Sequence, residues 1–253
     1  MREVAFFAAL IPLSFLLAGV TFVALFFINA PYGRHIRQGW GLLVSKRDGW
    51  LVMEAPAAIV FAVLFVMGSA PRSLTAFVLL GMWEAHYLQR AFIYPFHIAD
   101  GHRMMPILIP SMGFIFNAGN AYINGRYLFF LSGGYPLNWL ADPRFITGFG
   151  LFIAGYLTNR WADRLLFSLR TSGETGYKIP YGGLFDWVSC PNYLGEIVEW
   201  VGWAIATWSL PGLSFAVWTI ANLAPRARAH HAWYRASFPD YPKGRKALIP
   251  GVW

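Results

Sequence analysis

GETGYKIPYGGLFDWVSCPNYLGEIVEW, residues 173–200, runs from a polar loop crowded with glycine and aromatic side chains into an apolar helix. That helix carries Asn192, Glu196 and Glu199. Two carboxylates and an amide on a helix otherwise fit for lipid are costly, so such groups face a cavity, a ligand or one another. The stretch therefore points to an integral membrane protein with a polar interior.

Composition agrees. The chain has 253 residues, of which 57% are hydrophobic and only 13% charged, against about 25% charged residues in soluble domains. Aromatic residues make up 18% and the mean hydropathy is +0.46. Cys190 stands alone, which excludes an internal disulfide and a cysteine-rich metal site. The net charge of +8 does not indicate nucleic acid, because the basic residues lie between apolar segments of membrane length. The first apolar run, Val4–Ile28, is too long for a signal-peptide core of roughly 7–15 residues, so no cleavable leader is expected.

Seven segments approach the roughly 20 residues that cross a bilayer: 4–28, 50–69, 73–95, 106–131, 144–168, 192–210 and 212–233. The last two, parted only by Leu210-Pro211-Gly212, read as a helical hairpin. Pro31-Tyr32-Gly33, Ala70-Pro71, Gly133-Gly134-Tyr135-Pro136 and Gly182-Gly183 punctuate the others. With the N-terminus outside, 16 of the 20 Lys and Arg residues fall on inside segments and 4 outside. That positive-inside bias requires an odd number of spans. The expected fold is thus a single all-α integral membrane domain over 1–253, with seven transmembrane helices and a cytoplasmic C-terminus.

Polar residues recur at helical spacing within these segments. Segment two holds Glu54. Segment three holds Glu84, Tyr87, Arg90 and Tyr94 on one face, segment five Asn159, Asp163 and Arg170, and segment seven Arg226, His230 and Tyr234 at steps of four. With Asn192, Glu196, Glu199 and Trp200 of segment six, they suggest one polar interior open to the cytoplasm. Each stripe taken alone also reads as interhelical hydrogen bonding. Arg160, Arg164 and Arg228 read as basic groups snorkelling to headgroups. The tail Lys243-Gly244-Arg245-Lys246 reads as a lipid-surface or topology signal rather than a site. No metal is expected: His230 and His231 are adjacent, His97 and His102 share a loop with Asp100, and no H-E-x-x-H occurs. No G-x-S-x-G or G-x-G-x-x-G appears either, so a dinucleotide would bind outside a Rossmann fold. The residues by themselves leave a membrane enzyme or a transporter, with a cytoplasmic polar cavity.

Longer blocks carry a resemblance. PYGRH at 31–35, E-x-P at 54–56, HYLQRAFIY at 86–94, GYKIPYGGLF at 176–185, NYLGEIVEWVGWAIATWSLP at 192–211 and DYPKGRKALIP at 240–250 resemble the steroid 5α-reductase family, close to its vertebrate type 2 branch. The likeness spans nearly the whole chain. It implies a seven-helix reductase that uses NADPH to reduce the 4,5 double bond of 3-oxo-Δ4 steroids such as testosterone or progesterone. By resemblance, Glu54 and Tyr87 engage the substrate ketone and Met112 lies at the substrate end of the cavity. Also by resemblance, Tyr32, Arg90, Tyr94, Arg103, Asn159, Asp163, Arg170, Tyr177, Lys178, Asn192, Glu196, Trp200, Arg226, His230 and Tyr234 line the NADPH pocket. The chain departs from the family at Lys178 and Met112, where relatives carry Arg. Gln89 replaces a His, and the loop 95–105 is longer. An Arg-to-Lys change turns a bidentate fork into a point charge.

The chemistry is coherent. Enone reduction puts hydride on the β-carbon and negative charge on the ketone oxygen, which a phenol in a dry site stabilises. A protonated Glu54 donates directly or tunes Tyr87 as an acid pair. Expected partners are a steroid-like lipid and membrane lipids, with the protein a monomer. The membrane is the inner membrane in a bacterium or the endoplasmic reticulum in a eukaryote. The rival readings are a reductase of another lipid such as a polyprenol, an S-adenosylmethionine-dependent isoprenylcysteine-type methyltransferase, and a seven-helix transporter or receptor.

Overall fold

A computed structural model describes residues 2–28, 42–98, 101–169 and 176–253. The expected site residues Tyr32 and Arg170 lie outside the described residues. Seven long helices occur among those described, one for each apolar segment: α1 (Arg2–Phe27), α2 (Lys46–Met67), α3 (Leu74–Phe92), α5 (Leu108–Arg126), α6 (Pro143–Ser168), α7 (Pro191–Thr207) and α8 (Leu210–Ser237). A short α4 (Tyr94–His97) follows α3, and α5 continues into a π-helical turn, Tyr127–Leu131.

Helix starts have local causes. Ser45 caps α2 by accepting from the Asp48 N–H at 3.1 Å. Ser73 does the same for α3 with Ala76 at 3.2 Å, and Ser209 for α8 with Gly212 at 3.1 Å. A hydroxyl in this place satisfies one of the N–H groups the first turn leaves unpaired. The α7–α8 break falls at Trp208-Ser209, two residues before the expected Leu210-Pro211-Gly212. Trp208 takes a left-handed conformation there, φ 44°, and Pro211 lies in the first turn of α8. A two-stranded antiparallel ladder, β1 (Leu43–Ser45) with β2 (Met104–Pro106), has no counterpart in the hydropathy reading; it pairs Val44 with Met105.

The chain divides into two compact units, Met1–Leu10 with Pro31–Ile146, and Ile11–Ala30 with Thr147–Trp253. In the first, α2 packs against both α3 and α5. Phe61 stacks on Trp83 with ring centroids 4.3 Å apart, and the Trp83 indole donates to the Ala57 carbonyl at 3.0 Å. In the second, α7 packs along α8, and α6 meets α7 backbone to backbone. A Cβ added at Gly155 would stand 2.3 Å from the Glu199 nitrogen, and one at Gly202 2.4 Å from the Phe152 nitrogen. Small residues let helix backbones approach this closely.

Buried polar groups contrast with exposed apolar ones. Asn117, Asn120, Asn124, Asn159, Asp163 and Glu199 are buried, whereas Leu16, Val20, Ile59, Val66 and Ile115 are exposed. Among the described residues two helices are long and apolar enough to cross a membrane by length and composition, Glu3–Phe27 with mean hydropathy 2.4 and Lys46–Met67 with 2.2.

Candidate active site

The first unit brings Glu54 and Tyr87 together through a residue the sequence reading did not single out. Asn117 of α5 donates from Nδ2 to the Met53 carbonyl at 2.8 Å and to Glu54 Oε2 at 3.1 Å. Tyr87 of α3 donates its hydroxyl to Asn117 Oδ1 across 3.5 Å. Pro56 stands inside α2 two residues after Glu54. It lacks the N–H that would bond the Val52 carbonyl, which loosens the turn that presents Met53 and Glu54. Tyr87 is 3% exposed, with the Trp83 and His86 rings each 4.9 Å from its own. The signal for Asn117 was present: Asn117, Asn120 and Asn124 are spaced i, i+3 and i+7 on segment four.

Arg90 and Tyr94 lie in the same unit. The Arg90 guanidinium sits 4.8 Å from the Trp50 ring and 4.2 Å from the Tyr94 ring, a cation–π arrangement. The Arg103 side chain is exposed, while its carbonyl accepts from the Lys46 N–H at 2.8 Å. Met112 is 60% exposed on α5 and does not join the Glu54–Asn117–Tyr87 group. It stands five positions before Asn117, which turns it well away on the helix.

The second unit gathers the polar stripes of α6, α7 and α8. Asn159 donates from Nδ2 to the Asn192 carbonyl at 3.0 Å and to Glu196 Oε2 at 3.3 Å. Asn192 Nδ2 donates to Asp163 Oδ1 at 3.2 Å. On α8, Arg226 donates to the Tyr193 hydroxyl at 3.1 Å, and that hydroxyl meets His230 Nε2 at 3.1 Å. Tyr193 was missed although it adjoins Asn192, because an aromatic on an apolar helix gives no periodic polar signal. Tyr177 packs edge-on to Trp233 at 5.0 Å, and Lys178 is exposed. Tyr234 is buried and stacks on Tyr241 at 5.2 Å. Trp200 is 1% exposed, packed against Phe215 at 4.2 Å and edge-on to Phe152.

The basic tail behaves otherwise than the sequence suggested. Its backbone docks on the segment before α7: the Ser189 N–H donates to the Lys246 carbonyl at 2.9 Å and the Cys190 N–H to that of Ala247 at 3.2 Å. Arg245 is 3% exposed, with the Tyr181 and Tyr241 rings 4.8 and 5.2 Å from its guanidinium. A buried guanidinium between two rings belongs to the packed structure rather than to a lipid-facing signal, since its charge is met by aromatic faces and by the Asp186 carboxylate 3.9 Å away instead of headgroups. Among the described residues no group of three or more His, Cys, Asp or Glu gathers to hold a metal.

Apolar helix exteriors and two buried polar networks fit a helical membrane protein. The family model of 3-oxo-5-alpha-steroid 4-dehydrogenase matches residues 103–253. Steroid 5-alpha-reductase DET2 of Gossypium hirsutum is 41% identical over 243 residues, covering 94% of this chain and 94% of its own. The 3-oxo-5-alpha-steroid 4-dehydrogenase 1 of Homo sapiens is 44% identical over 224 residues, 88% of this chain and 86% of its own, and that of Rattus norvegicus 41% over 256, 100% and 97%. The chain belongs to the steroid 5α-reductase family and is an oxidoreductase. The family replaces the methyltransferase and transporter readings. The relatives named are type 1 and plant forms.

Proposed function

We propose that the protein reduces the 4,5 double bond of 3-oxo-Δ4 steroids to 5α-dihydro products with NADPH as hydride donor. The observation that carries this reading is the hydrogen-bonded Glu54–Asn117–Tyr87 group, in a chain of this family. NADPH supplies hydride to C5 of the steroid when bound. Tyr87 donates to the 3-ketone oxygen as negative charge develops there, and a protonated Glu54 donates beside it. Burial of Tyr87 excludes water from that hydrogen bond and strengthens it. Met112, on the exposed face of α5, contacts the apolar body of the steroid as it arrives from lipid.

In the second unit, the donor set fits a dinucleotide. Asn159, Asp163, Asn192 and Glu196 offer amides and carboxylates for ribose and carboxamide groups. Arg226, Tyr193 and His230 offer a chain of donors for phosphate, joined by exposed Lys178. The Tyr177–Trp233 pair offers aromatic faces for the adenine. All seven helices cross the membrane within one reductase domain, with the N-terminus outside and the C-terminus cytoplasmic. This orientation follows from the 16 of 20 basic residues on inside segments. The protein acts as a monomer in the bacterial inner membrane or, in a eukaryote, in the endoplasmic reticulum.

The test is purified protein in lipid nanodiscs with NADPH and testosterone or progesterone, read by product mass. A gain of two hydrogens with 5α stereochemistry supports the reading. An unchanged steroid with consumption of a polyprenol or another enone would move the substrate class.

A further inference from the structure

The amide of Asn117 has only one orientation open to it. The Met53 carbonyl can only accept, so the group 2.8 Å from it is the NH2. The second N–H of that NH2 points to Glu54 Oε2 at 3.1 Å. Oδ1 must then face Tyr87, and because Oδ1 can only accept, the phenol hydrogen points at it. Asn117 therefore sets the direction of the whole chain, from the Met53 carbonyl to the Tyr87 hydroxyl. It is 5% exposed, so water does not compete for these bonds.

Resting on the reductase reading, we propose that Asn117 is a positioning residue for the ketone-polarising pair. Oε2 of Glu54 accepts from the Asn117 amide, which fixes the carboxyl in place against α5. The Tyr87 hydroxyl is held at 3.5 Å, a long bond. A ketone oxygen arriving at ordinary hydrogen-bond distance therefore takes over the phenol hydrogen with little loss. Asn117 holds the carboxyl and the phenol in place while the site waits, and it touches neither hydride nor ketone. The titratable groups of the helices packed on α2 are Glu84, His86, Tyr87 and Arg90 from α3, Tyr94 and His97 from α4, and Tyr122 and Arg126 from α5, which also brings the amides Asn117, Asn120 and Asn124.

The test compares Asn117→Leu with the wild type and repeats the substitution in a Tyr87→Phe background. Leu matches Asn in size and leaves no unpaired amide. The expected result is a kcat about tenfold lower with the KM for steroid moved less, and an unchanged Kd for NADPH by fluorescence. In the Tyr87→Phe background the same substitution should lower kcat by about threefold or less, because a residue acting through another is not additive with it. A merely structural role would lower kcat equally in both backgrounds. Should Asn117→Leu not fold, Asn117→Asp carries the test: it keeps Oδ1 and removes the N–H donors, and it must lose kcat as well. Wild-type kcat in these variants, or equal loss in both backgrounds, overturns the proposal while leaving the reductase reading in place. A wild type that reduces no enone with NADPH removes that reading and this inference with it.

Discussion

Gly155→Ala is the sharpest test of how α6 and α7 build the second polar network. The new Cβ would lie 2.3 Å from the Glu199 nitrogen, 2.5 Å from the Gly195 oxygen and 2.7 Å from the Glu199 Cα. All three are backbone atoms, so no side chain can swing aside and the helices must separate. Overpacking of this kind costs about 1–3 kcal/mol. The same displacement stretches the three bonds one and two turns along, Asn159 to Asn192 and Glu196 and Asn192 to Asp163, now 3.0–3.3 Å long. Each is worth about 0.5–1.5 kcal/mol. The variant should melt several degrees lower in detergent and bind NADPH about tenfold more weakly, since every 1.4 kcal/mol is a factor of ten. Gly150→Ala is the internal control. It lies on the same helix with nothing within 4 Å of its added Cβ, and should leave both quantities unchanged or raise the melting point slightly. A Gly155→Ala protein with the melting point and NADPH affinity of Gly150→Ala would refute the close-packed seam.

Tyr87→Phe should lower kcat about 10²–10³-fold with NADPH affinity kept, because it removes one donor to the developing enolate; near wild-type turnover would end that role. A reporter fused after Trp253 should be active only in its cytoplasmic form, as the distribution of basic residues requires, and activity outside would reverse the orientation. Asp142 accepts from the Arg144 side chain at 2.8 and 2.9 Å, and the hydrogen bonds from Arg144 hold its carboxyl down to about 2. A depressed carboxylate contributes stability that is full above its ordinary value of 3.8 and is lost as pH falls through about 2. Asp142→Asn should therefore flatten the fall of the melting point in that window, and an unchanged slope would show the pair to be thermodynamically silent.

The seven helices were legible because what makes them is local. Apolar runs of membrane length, punctuating Pro and Gly, and the hydroxyls of Ser45, Ser73 and Ser209 all act within a few residues of where they stand. Periodicity likewise gave the stripe of Asn159 and Asp163 and the steps from Arg226 to Tyr234. What periodicity cannot supply is the partner. It puts Asn117 on a face of α5, and only packing against α2 and α3 turns that face to Met53, Glu54 and Tyr87. Tyr193 reads as one more aromatic until α8 lays Arg226 and His230 across its hydroxyl. Met112 is turned to the exposed side because Asn117 and Asn120 occupy the inner one. Gly148 and Gly155 stand seven residues apart, as do Gly195 and Gly202, in plain view, yet a glycine has no side chain to signal what it touches. The tail Lys243-Gly244-Arg245-Lys246 reads as a lipid-surface or topology signal until the carbonyls of Lys246 and Ala247 meet the N–H groups of Ser189 and Cys190. In each case the deciding contact joins residues far apart in the chain, so its energy exists only once the helices are packed.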